Sequence, residues 1–114
     1  MEVAYVFVDL DIRYSVFRRI ERYWREHLDW VTEHLKLDAK VVGYRARKSG
    51  SGNTHVLVYL DRPVPELDAL HLAACLGSDF KAVLEARLRL DALGFSDYFP
   101  WEKKKERKKE RGKG

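Results

Sequence analysis

Tyr5-Val6-Phe7-Val8-Asp9-Leu10-Asp11 is an apolar run that closes on two carboxylates one residue apart. Its valines and aromatic residues favour a pleated strand, expected over residues 3–11. Strand side chains alternate between faces, so Ala4, Val6, Val8 and Leu10 share one face and Tyr5, Phe7, Asp9 and Asp11 the other. One face is read as core and the other as the site of chemistry.

After this strand the period changes. From about Tyr14 to Leu37, Val16, Phe17, Ile20, Tyr23, Trp24, His27, Val31, His34 and Leu35 recur at helical spacing, with Arg18, Arg19, Arg22, Arg25, Glu26, Asp29 and Glu33 between them. This predicts a long amphipathic helix with a basic first half, packed on a sheet by one wide apolar stripe. A second strand is expected over 39–47, a turn at Lys48-Ser49-Gly50-Ser51-Gly52-Asn53, and a third strand over 54–60, closed by a loop at 61–64. Pro65 suits the first turn of a helix that Gly77 ends, and Ser78 or Asp79 caps a further helix that stops at Gly94. A last short strand is expected within 95–102, confined to an edge by Pro100.

The order β-α-β-β-α-α-β predicts an α/β (α+β) sandwich of the RRM-like or ferredoxin-like kind, an antiparallel sheet with helices on one face. In that topology the first and third strands are antiparallel neighbours. Asp9 and Asp11 then lie beside His55 on the open face, with Tyr5, Phe7 and Tyr59 further along it.

With 114 residues, the simplest organisation is one domain over 1–102 followed by a tail. The net charge of +4 is unevenly spread: residues 103–114 hold eight Lys/Arg and two Glu, which leaves the first 102 residues at −2. The tail, Lys103, Lys104 and Lys105 foremost, is too poor in apolar residues to pack and suits nucleic acid or simple solubilisation. No run is long and apolar enough for a membrane span, and no secretory signal opens the chain, so an intracellular, cytoplasmic protein without membrane contact is expected. The single cysteine, Cys75, excludes an internal disulfide and a cysteine zinc ribbon, and its apolar neighbours predict burial. The absence of glutamine, with one asparagine and many Arg and Glu, leans toward a thermophile.

Two carboxylates and an imidazole at one sheet edge suit phosphate chemistry. Carboxylate oxygens match Mg²⁺ or Mn²⁺, which bridge triphosphates, while His55, Arg45, Arg47 and Lys48 can hold phosphate oxygens and the Ser49-Gly50-Ser51-Gly52 backbone can approach them. Tyr5, Phe7 and Tyr59 can stack bases, or be covered by a partner. Plain structural roles stand beside each of these: Asp11 near a helix N-terminus, the Ser-Gly stretch as a connector, and His27, His34 and His71 as helix residues.

Phe7-Val8-Asp9-Leu10-Asp11 resembles the first motif of the archaeo-eukaryotic primases, an apolar strand ending Asp-x-Asp, and Ser49 to Val56 resembles their second, Ser-Gly and a small-residue loop before a histidine that opens a strand. The resemblance covers roughly residues 5–60. It implies an RRM-like core of DNA replication in which Asp9 and Asp11 bind metal, His55 contacts the phosphates of a nucleoside triphosphate, and the activity is template-directed nucleotidyl transfer or priming on DNA or RNA. Asn53 stands where such primases often have glycine, and Asp97, then Asp91, are the candidates for the later acid of their third motif. A minimal or accessory member, as from an archaeal virus or plasmid, fits the short chain and implies a replication-protein partner. Two other readings stay open: a noncatalytic single-strand-binding module, and a homodimeric interaction domain using the sheet face.

Overall fold

The computed structural model describes residues 2–94. It contains β1 (Glu2–Arg13), α1 (Tyr14–His34), β2 (Val41–Lys48), β3 (Asn53–Pro65), α2 (Glu66–Cys75) and α3 (Phe80–Leu93). This is an α+β fold in the expected order. The last expected strand, Asp97 and the basic tail with Lys103, Lys104 and Lys105 lie outside the described residues.

The sheet order is β1-β3-β2, with β3 antiparallel to both neighbours. Two parallel strands joined through α1 thus receive β3 between them. Register then fixes the faces: Val6, Val8 and Leu10 stand opposite Val58, Val56 and Thr54, and Tyr44 and Ala46 extend the same row on β2. Helices α1 and α2 cover this side. Trp24 of α1 sets its edge on Tyr44 at 5.2 Å and donates its indole N–H to the Leu76 carbonyl at 3.0 Å, while His27 Nε2 donates to the Cys75 carbonyl at 2.8 Å. Both donors satisfy carbonyls at the end of α2 that have no helical partner.

The α2–α3 junction follows helix-end chemistry closely. Gly77 takes φ +96° and donates to the Ala74 carbonyl, and Ser78 donates to the Ala73 carbonyl, the paired bonds of a Schellman motif. The backbone angle is what favours glycine there, and a side chain at Gly77 would in addition press on the end of the Leu10 side chain at 3.2 Å. Asp79 then caps α3 by accepting from the Ala82 N–H at 3.3 Å.

Three expectations need correction. The segment expected as a loop at 61–64 continues β3, pairing Val64 with Val3 across an irregular register that leaves Pro63 without a ladder partner. Cys75 is exposed, because α2 turns Leu72, Ala73 and Leu76 inward instead. The single wide stripe of α1 is divided: Phe17, Trp24, Leu28 and Val31 are buried, whereas Val16, Ile20, Tyr23 and Trp30 face solvent. Among the described residues no helix is long and apolar enough to cross a membrane.

Candidate functional site

On the sheet face away from α1 and α2, Asp9 stands directly opposite His55, and Arg47 opposite His55 on its other side. Asp9 Oδ1 and His55 Nε2 are 3.5 Å apart, with both side chains partly buried. Phe7 presents its ring to the imidazole edge-on at 4.9 Å, which limits the orientations His55 can take. Arg45, opposite Leu57, shares this face, whereas Lys48, opposite Thr54, falls in the other row.

Strand β1 breaks register between Leu10 and Arg13, a bulge that carries Asp11. The Asp11 carboxylate accepts from the Asn53 side-chain amide at 3.2 Å. Asn53 thereby ties the end of the Ser-Gly loop to the bulge. Thr54 Oγ1 donates to the Ile12 carbonyl at 3.1 Å, and the first amide of α1, Tyr14, donates to the Gly52 carbonyl at 3.0 Å. Arg13 rather than Asp11 occupies the helix N-cap.

The Ser49–Gly52 stretch is a closed turn. Gly52 donates to the Ser49 carbonyl at 3.0 Å, Ser49 donates to the Asn53 carbonyl at 2.8 Å, and Gly52 takes φ +92°. That pattern is a three-residue hairpin loop ending in a glycine bulge. Ser49 Oγ accepts from the Asn53 amide at 3.0 Å and shares a hydrogen bond with Ser51 Oγ at 3.0 Å. The amides of Ser49, Gly52 and Asn53 are therefore committed within the turn.

A third acid reaches this end of the sheet. Ser78 Oγ accepts from the Asp9 amide at 3.0 Å, and the Asp79 amide donates to the Asp9 carbonyl at 2.7 Å. The α2–α3 junction thus pairs the outward backbone groups of β1 at Asp9, and brings the Asp79 carboxylate close enough to act on Asp9 electrostatically. The sequence signal for Asp79 was its cap position, which says where a helix starts but not what the cap lies against.

Partial burial pushes the Asp9 carboxyl above its ordinary 3.8; His55 works against this, and the Asp79 and Asp11 charges add to it. Burial likewise pushes His55 below 6.5, Asp9 opposing and Arg47 reinforcing. At neutral pH the 3.5 Å contact is therefore one of a carboxylate with a neutral imidazole, although its distance is that of an ion pair. Asp9 and Asp11 supply hard oxygen donors. Among the described residues, no group of three or more His, Cys, Asp or Glu side chains is gathered tightly enough to hold a metal ion. Two carboxylates with the remaining positions filled by water and phosphate oxygens is nonetheless the usual way Mg²⁺ is held.

The expected aromatic surface is largely closed, since Tyr5 and Phe7 are only 8% and 6% exposed, while Tyr59 is 39% exposed. Asp91 pairs with Arg87 on α3 at 3.2 Å. Compared with family models, with curated proteins and with solved structures, the chain has no significant match.

Proposed function

We propose that the Asp9–Asp11–His55 end of the sheet binds a divalent cation with a nucleoside triphosphate, in a primase-like nucleotidyltransferase domain acting on nucleic acid. The observation that carries this reading is the pairing of Asp9 with His55 across β1 and β3, 46 positions apart in the numbering, with Asp11 on the adjoining bulge. Like charge on Asp9, Asp11 and Asp79 favours a cation there. When bound, Mg²⁺ or Mn²⁺ would neutralise the phosphate oxygens and stabilise charge on the entering and leaving oxygens. Asp9 and Asp11 would hold it. His55, neutral at pH 7, can donate an N–H to a phosphate oxygen, and Arg45 and Arg47 share its face and carry fixed positive charge.

The burial of Tyr5 and Phe7 weighs against the single-strand-binding alternative, because a base cannot stack on a covered ring. Calorimetric titration of the protein with Mn²⁺ and a nucleoside triphosphate tests the reading. Binding of the nucleotide should require the metal and be lost in Asp9→Asn/Asp11→Asn. Absence of binding, or binding unchanged in that variant, refutes it.

A further inference from the structure

We propose that the exposed stripe of α1 is the seam of a homodimer in which α1 packs antiparallel against α1 of a second copy about a twofold axis. Val16, Ile20, Tyr23, His27, Trp30 and His34 follow one another in alternating steps of four and three residues, the spacing of a helix–helix seam. Val16, Ile20, Tyr23 and Trp30 are 44%, 40%, 68% and 58% exposed. Stacking already orders the row: Trp30 lies over His34 at 4.3 Å and near-parallel to His27 at 6.3 Å. A parallel row of the same spacing one residue on, with Phe17, Trp24, Leu28 and Val31, is the one buried against this chain's own sheet.

The occupant follows from symmetry and charge. Reversing the stripe about position 25 sets Val16 against His34, Ile20 against Trp30 and Tyr23 against His27, so that apolar and aromatic groups meet along its whole length. A twofold interface requires such self-complementarity. Charge obeys the same reversal: residues 14–25 hold four Arg and one Glu, net +3, and residues 26–34 hold three acids and no Lys or Arg, net −3. This polarity opposes the helix dipole, which favours acids near the start and bases near the end, and the first turn of α1 holds no acid. An antiparallel copy reverses the disadvantage, setting each basic half against an acidic one. In the row beside the seam, Arg19 comes next to Glu33 of the other copy.

Fully covered aromatic side chains bury ~150–250 Å² each, and Tyr23 and Trp30 still expose 68% and 58% of their surface, so with Val16 and Ile20 they offer the centre of an interface whose usual size is ~800 Å² per partner. This inference is independent of the nucleotide site, which lies on the other side of the sheet.

Sedimentation equilibrium of the full chain over a concentration series gives the test. The expected mass rises to twice 13.4 kDa, and Tyr23→Glu or Trp30→Glu weakens association at least tenfold with an unchanged circular dichroism spectrum. Arg19→Glu weakens it, and Glu33→Arg added to Arg19→Glu restores it. A wild-type monomer up to millimolar concentration, or a dimer indifferent to Tyr23→Glu and Trp30→Glu, overturns the proposal. Failure of the charge reversal to rescue overturns the antiparallel arrangement.

Discussion

The α1–sheet contact and the Asp9 end of β1 both join residues far apart in sequence, by different physics. At the first, Phe17, Trp24, Leu28 and Val31 press on Val6, Val8, Val56 and Val58, a contact made of apolar area. At the second, the strand end is held by hydrogen bonds donated by Asp79, Asn53 and Thr54 and one accepted by Ser78, around carboxylates that remain partly exposed. Apolar area holds a fold tightly but does no chemistry. A half-solvated polar web is weaker, and leaves charge where a ligand can reach it.

The largest effect that can break this contrast is at Phe17, which is fully buried. Phe17→Ala is expected to lower unfolding stability by about 3–5 kcal/mol in chemical denaturation, from lost transfer energy and the cavity left behind. Tyr23→Ala, one helical face away, should change it by no more than about 0.5 kcal/mol at concentrations where the chain is monomeric. Comparable losses at both positions would mean that the two stripes of α1 are not divided as described.

A smaller effect is expected at Asp79. Asp79→Ala removes the cap of α3 and should cost about 1 kcal/mol. Asp79→Asn keeps a capping oxygen and should retain most of that stability, yet both variants should lower the Asp9 carboxyl, because each removes a neighbouring negative charge. An Asp9 titration unmoved by either change, followed by carboxyl NMR, would detach Asp79 from the site.

The contrast also explains what the sequence disclosed. Periodicity found every described element in order, because burying apolar area imposes a period, and two in strands and 3.6 in helices are distinguishable. It pooled the apolar residues of α1 into one stripe, since spacing alone does not tell which of two adjacent rows meets the sheet. Asp9 and His55 were foreseen because sheet topology fixes which strand ends adjoin. Asp79 was not, because its approach depends on Ser78 and Asp79 folding back onto the edge of β1, 69 positions from the Asp9 amide that Ser78 accepts from. The expected openness of Tyr5 and Phe7 failed for a similar reason: alternation assigns a face, and exposure depends on what else reaches that face.

The finest test lies at His55, where burial and two opposing charges meet. The folded state holds this imidazole below 6.5 and so binds fewer protons there than the unfolded chain does. Stability should therefore rise with pH through the window just below 6.5 and be lost as pH falls through the folded value, whereas Asp9, raised from 3.8, contributes the opposite slope above that value. His55→Asn should remove the first slope from denaturation midpoints measured across this range. In the intact protein, imidazole NMR should move His55 lower still in Asp9→Asn, which removes the charge that favours protonation, and higher in Arg47→Gln, which removes the one that opposes it. A His55 titration unmoved in both variants would show that burial alone governs the imidazole and that the charges facing it across β1 and β2 are too well solvated to be felt.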